Sequence, residues 1–258
     1  MAAFHTADGL TLAYDDIGPR DGAAILLVHG FASNRHEAWR RTGWYAALET
    51  RGRRLIALDL RGHGESDRPH DAARYGRERL VSDLIGLLAH VGVGRADVFG
   101  YSMGARLALS LALAAPQSVG HLILGGVGGR LLEPAPRDDR MGAAMEADNP
   151  ADIADPLLQS FRQFADEQGE DRLALAAFTR APSEQFAASD LAAVRSPTLV
   201  VAGARDLLAG DVELLADAIP GARAITLAGC DHFNAIPHGL LKAAVFDFLD
   251  GMLDDPFG

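Results

Sequence analysis

The chain has a single cysteine, Cys230, among 258 residues. No internal disulfide can form, and such a composition suits a reducing compartment. Basic residues are also short: 24 Lys and Arg face 35 Asp and Glu, for a formal net charge of −11. That balance repels phosphate backbones and anionic lipid, so neither nucleic acid nor a membrane surface is expected as a partner. No apolar run approaches the ~20 residues of a membrane span. The opening Met1-Ala2-Ala3-Phe4-His5-Thr6 lacks the basic stretch and apolar core of a secretory signal. A cytoplasmic protein with a small-molecule substrate is the expectation. The histidines show no metal-ligand spacing with cysteine or carboxylates, so no metal is called for. No cofactor is called for either: Gly125-Gly126-Val127-Gly128-Gly129 has the glycines of a phosphate loop without its Lys-Ser/Thr ending. Nothing sets an oligomeric state.

What is present is a core-building composition, 48% hydrophobic, arranged as alternating strand and helix patterns. Leu10 to Tyr14 alternates as a half-buried strand. Ala24 to Val28, Arg54 to Leu58, Ala96 to Phe99, Val119 to Leu124, Pro197 to Gly203 and Ala222 to Leu227 read as buried strands. Helical spacing links Trp39, Trp44, Tyr45 and Leu48, then Leu80 through Val91, Arg106 to Ala115, Asp211 to Ile219, and Leu240 to Met252. Between Gly125 and about Val194 the alternation stops. Prolines stand at 134, 136, 150, 156 and 182, with short helical patches and no convincing strand. Strand–helix alternation predicts an α/β fold: a mostly parallel central sheet with helices on both faces, interrupted by a small helical insertion.

The stretch that organises the chain is Gly100-Tyr101-Ser102-Met103-Gly104, set between a strand and a helix. In that setting it is a sharp turn holding Ser102 exposed at the carboxyl edge of the sheet and at a helix N-terminus. A serine hydroxyl needs a base, and the base an orienting carboxylate. Asp206 follows the strand ending at Gly203, and His232 lies in the loop after the strand ending at Leu227, so order and strand-end placement fit. Asp206 has an alternative as a helix cap, and the acid's role has an alternative in Asp231. An oxyanion needs two backbone N–H donors; Met103 supplies one, and Phe31, after Gly30, is the natural second. His29 reads as a hydrogen-bonded structural histidine, and His238 as an exposed lead-in to the last helix. Tyr101 and Arg106, beside the serine, and Phe161 and Phe164, in the insertion, are candidate substrate contacts. Phe178 and Phe186 are further candidates for an apolar pocket.

With these motifs in hand, the chain resembles the α/β-hydrolase fold superfamily over nearly its whole length. The matching residues are His29-Gly30-Phe31, Asp59-x-Arg61-Gly62-x-Gly64-x-Ser66, Gly100 to Gly104, Gly203-x-x-Asp206, and His232-Phe233. The resemblance implies a core of residues 1–125 and 195–258 with residues 126–194 as a helical cap, or lid. It also implies that Asp59 and Arg61 brace their loop. Ala105 stands where many members have a second glycine, and Leu207-Leu208 replaces a common proline-containing loop. The leading expectation is a serine hydrolase of a carboxylic ester or thioester with a small to medium acyl group, acting without metal. A second reading rests on Gly100 to Arg106, a run similar to the elbow of 2-succinyl-6-hydroxy-2,4-cyclohexadiene-1-carboxylate synthase. It is a lyase with Arg106, Arg130 and one of Arg162, Arg172 and Arg180 holding carboxylates. Lactone opening, perhydrolysis and carbon–carbon bond hydrolysis use the same constellation, and a non-catalytic binding protein on this fold is the reading from another class.

Overall fold

A computed structural model describes residues 2–133, 138–182 and 185–253. Pro134 and Pro136 of the insertion lie outside the described residues. The strands are β1 (Ala2–His5), β2 (Thr11–Ile17), β3 (Ala24–Val28), β4 (Arg54–Leu58), β5 (Ala96–Tyr101), β6 (Val119–Gly125), β7 (Thr198–Gly203) and β8 (Arg223–Leu227). They form one sheet in the order β1-β2-β4-β3-β5-β6-β7-β8, antiparallel for β1–β2 and β2–β4 and parallel from β4 to β8. The continuous apolar runs are continuous because both faces are covered. In β3, Leu26 and Val28 enter one core with Leu84, Leu88, Leu107 and Leu111, while Ile25 and Leu27 enter the other with Trp39, Trp44 and Leu48. The same period-2 division recurs in β4, β6 and β7.

The helices flanking the sheet are α1 (Trp44–Glu49), α2 (Arg77–His90) and α3 (Met103–Ala114). Between β6 and β7 come α4 (Arg140–Glu146), α5 (Pro156–Gln168), α6 (Arg172–Arg180) and α7 (Ala188–Leu191), with no strand among the described residues. The chain ends with α8 (Val212–Asp217) and α9 (Gly239–Leu249). Among the described residues no helix is long and apolar enough to cross a membrane. Helix α5 is bounded by local chemistry. The Asp155 carboxylate accepts from the Leu157 and Leu158 amides, Pro156 occupies the first turn, and Gly169 ends the helix at φ 68°.

Helices α4 to α6 share a small core of their own, in which Met145, Ala165, Leu175 and Ala176 meet Ala32 of the loop after β3, with Phe31 and Phe161 against it. The joint between α5 and α6 is tied to the sheet's loops. Buried Glu170 accepts from Asn34 Nδ2 at 2.9 Å and from the Gly64 amide at 2.8 Å, and its neighbour Asp171 meets His70 Nε2 at 3.0 Å. Burial raises the Glu170 carboxyl above its ordinary value.

The loop after β4 is braced by buried ions. Arg61 spans Asp83, through two bonds of 2.7 Å, and Asp8. Asp59 pairs with Arg35 and accepts from the Arg35 and Glu65 amides. Ser66 Oγ donates to the Asp59 carbonyl and accepts from the Ala13 amide, tying this loop to β2.

Sheet and α3 meet at van der Waals contact of backbone on backbone. A β-carbon at Gly104 would lie 2.0 Å from the Val28 carbonyl oxygen, and one at Gly100 would lie 2.2 Å from the Gly104 oxygen. Gly104→Ala is therefore expected to lower stability by about 3 kcal/mol or more, since the obstacle is backbone and cannot rotate away. Urea unfolding measures it; a loss under ~1 kcal/mol would mean the turn has slack.

Candidate active site

The turn between β5 and α3 holds Ser102 at φ 55°, ψ −115°, a conformation L-residues rarely adopt. Two features hold it there: the Ser102 amide donates to the Gly125 carbonyl at 2.7 Å, and the glycines at 100 and 104 allow the close crossing. The helix begins at Met103 itself, three residues before the expected Arg106, so Ser102 caps α3 and faces the positive end of its dipole.

Ser102 Oγ donates to His232 Nε2 at 2.9 Å, and His232 Nδ1 donates to Asp206 Oδ2 at 2.8 Å. Helix α8 is capped by Asp211, which accepts from the Glu213 amide, and not by Asp206. The other oxygen of Asp206 accepts from the Leu208 and Ala209 amides at 3.0 and 2.9 Å, so the turn that follows β7 fixes the carboxylate's rotamer. Leu207-Leu208 serves this turn without a proline. Asp231 closes its own turn by accepting from the Phe233 and Asn234 amides and from Asn234 Nδ2, while His232 Nδ1 bonds to Asp206. The two loops are fastened together: Arg205 N donates to the Cys230 carbonyl and Ala204 N to the Leu227 carbonyl. Tyr101 Oη donates to the His232 carbonyl at 2.7 Å.

His29 is wholly buried, donates from Nδ1 to the Gly30 carbonyl and accepts at Nε2 from the Leu60 amide. Burial pushes its imidazole down to about 4, so it is neutral and structural. His63 beside it is likewise driven down to about 3 by burial. His238 is exposed and caps α9 by accepting from the Leu240 amide.

A cavity of about 400 Å³ opens over Ser102, lined by Phe31, Tyr101, Phe161, Phe164, His232 and Phe233, with polar groups from Ser33, Ser160, Gln163 and Glu167. Gly30 brings the loop after β3 against the serine: a β-carbon there would lie 3.5 Å from Ser102 Cβ. Among the described residues the amides of Phe31 and Met103 donate to no protein acceptor. Both are thus available where this loop and the start of α3 flank Ser102.

Comparison with known proteins accords with this architecture. The sequence model for the alpha/beta hydrolase fold matches residues 23–166. The chain belongs to the α/β hydrolase fold family. It is 30% identical over 238 residues to 2-hydroxymuconate semialdehyde hydrolase of Pseudomonas putida, covering 84% of this chain and 83% of that one. It is 36% identical over 118 residues to a putative 2-succinyl-6-hydroxy-2,4-cyclohexadiene-1-carboxylate synthase of Bacillus subtilis, a match spanning 46% of this chain and only 41% of that relative. A solved hydrolase from Pseudomonas aeruginosa superposes with a TM-score of 0.80 at 30% identity, covering 96% of this chain and 97% of that one. The protein is an enzyme of this hydrolase family.

The hydrolase fold thus brings Ser102, His232, Asp206, Phe31, Met103, Tyr101, Phe161 and Phe164 to one place. It does not bring Arg106 there. One turn along α3, Arg106 turns to a separate cavity of about 90 Å³ lined with Met103, Phe178 and Phe186, its guanidinium 5.8 Å from the Phe186 ring centre. Arg162, Arg172 and Arg180 are also elsewhere: the first two donate to the Ala147 carbonyl, and Arg180 pairs with Asp139 and Glu146. Phe178 packs on Phe31 from outside the cavity, and Phe186 is buried against the main core. The polar residues of α5 went unread in the sequence, although Ser160, Phe164 and Glu167, spaced four and three apart, trace one helical face.

Because the Asp206 turn needs only an oxygen acceptor, Asp206→Asn should keep the turn and the melting temperature while presenting an amide N–H to His232 Nδ1. Turnover at pH 7 should fall by ~10⁴ through the wrong tautomer. Asp231→Asn should change turnover little; the reverse ranking in steady-state kinetics would make Asp231 the orienting acid.

Proposed function

We propose that this chain is a serine hydrolase that cleaves a carboxylic ester or thioester of a small to medium acyl substrate. The observation that carries the reading is the unbroken Ser102–His232–Asp206 hydrogen-bond chain, ending in a cavity walled mainly by phenylalanine. Attack by Ser102 Oγ on the carbonyl passes its proton to His232 Nε2, and Asp206 stabilises the imidazolium formed. The amides of Phe31 and Met103 receive the oxyanion, with the dipole of α3 behind them. Collapse expels the alcohol or thiol with the proton held by His232. Water then gives its proton to the same nitrogen, attacks the acyl-enzyme and releases the acid.

On this reading residues 126–194 act as a cap whose inner face, contributed by α5, selects the substrate, while the residues on the sheet's loops perform the chemistry. Carbon–carbon bond hydrolysis is the second reading, favoured by the near full-length similarity to a relative whose named substrate is a carboxylate. The lyase reading has less support, because none of the arginines it requires lines the cavity over Ser102.

Ser102→Ala should remain folded and lose ester turnover by about three or more orders of magnitude. Mass spectrometry after fluorophosphonate treatment should locate the adduct on Ser102; an adduct elsewhere overturns the assignment. Phe161→Ala or Phe164→Ala should shift the preferred acyl length among model esters while changing acetate turnover little. An equal loss on every ester, with a lower melting temperature, would assign these rings to packing alone.

A further inference from the structure

The walls of the Ser102 cavity carry very little charge. Among the described lining residues there is no arginine or lysine, and Glu167 alone is a carboxylate. Glu167 lies one turn beyond Phe164 on α5 and is exposed at the mouth. Among the described residues it makes no hydrogen bond or ion pair. The cations nearest in sequence are already engaged on other faces: Arg162 with Asp166 and the Ala147 carbonyl, Arg172 with that same carbonyl. Below Glu167 the walls are aromatic. Phe161 sits 6.1 Å from Phe31 and 5.6 Å from Phe233, ring centre to ring centre, and Phe164 adjoins them in the lining.

Phenyl faces are the negative part of the ring quadrupole and attract a cation within about 6 Å. A solvated carboxylate above such rings adds attraction for the same sign, and the chain's net charge of −11 adds a field of the same direction at longer range. A carboxylate-bearing substrate would meet both with no cation in the lining to pair with. At about 400 Å³ the cavity is near the lower end of ligand pockets, room for a short chain with one head group.

We propose that Glu167 selects substrates by charge, and that the cavity takes an ester bearing an ammonium group at the end remote from the scissile carbonyl. The proposal rests on the ester-hydrolase reading and names its substrate class: the head group lies among Phe161, Phe164 and Glu167 while the carbonyl reaches Ser102. It also separates this chain from relatives acting on carboxylates.

The test compares three butyrate esters of matched size: the choline ester, its neutral isostere 3,3-dimethylbutyl butyrate, and an ester ending in a carboxylate. At low salt the choline ester should exceed the neutral one in kcat/KM by about three- to tenfold, with the anionic ester the poorest. The ratio should shrink as salt is raised. Glu167→Gln should remove most of that ratio, and Glu167→Lys should reverse the order of the cationic and anionic esters. Equal rates for the choline and neutral esters, or a ratio unchanged in Glu167→Gln, would overturn the proposal. Failure to turn over any of the three would instead remove the ester reading. Charge preference is then read from the rates at which cationic and neutral phosphonates label Ser102, and equal labelling rates would overturn it in that form too.

Discussion

Everything at the site depends on a contact between two pieces of backbone. The first turn of α3 lies against the carbonyls of Val28 and His29 at the end of β3, closer than any side chain would permit. This approach brings the loop after β3 against the turn, where a β-carbon on Gly30 would lie 3.5 Å from Ser102 Cβ. The rest is support for that juxtaposition. Parallel pairing of β3 with β5 and of β5 with β6 sets the heights of the strand ends, and the Ser102 amide bonded to the Gly125 carbonyl fixes the turn on the third strand. Loops after β7 and β8, bonded to each other through Cys230 and Leu227, then bring Asp206 and His232 to Ser102 from the far side.

The polar interior of the molecule is arranged for stiffness, while the cavity keeps its charge at the rim. Buried ions brace the loop after β4, where each carboxylate has a guanidinium or amide donors to compensate its desolvation. The neutral imidazole of His63 packs against the Phe31 ring and that of His29 against His63, filling space without adding charge. The space over Ser102 is thus bounded by aromatic walls and the imidazole of His232.

The sequence revealed most where local pattern and tertiary structure say the same thing. Strands β3 and β4 have the bounds their sequence pattern shows, because both faces of each are covered and only Arg54, paired with Asp16, brings a charge into them. Strand β1 escaped notice, since only Phe4 of its four residues is buried and one apolar side chain makes no period. Strand β2 runs past Tyr14 to Ile17 through Asp15 and Asp16, acids that look like loop until Tyr45 and Arg54 are seen to hold them. Ser102, Asp206 and His232 were legible because each follows a recognisable strand. Direction was not legible. Arg106 is one turn from Ser102 in sequence, yet it lines a separate cavity, with its guanidinium toward Phe186. Nor could spacing disclose Glu170, whose partners Asn34 and Gly64 lie more than a hundred residues away.

The backbone angle at Ser102 has a consequence for which residues can ever stand there. At φ 55° and ψ −115° an L-residue carries about 1–3 kcal/mol of strain, and a β-branched side chain carries more. Threonine, chemically able to serve as a nucleophile, is thereby barred from the position, whereas cysteine is not. Glycine would be the most comfortable occupant of all. A population of such chains selected for stability alone would drift toward glycine at 102; the hydroxyl persists in this sequence against the preference of its own backbone.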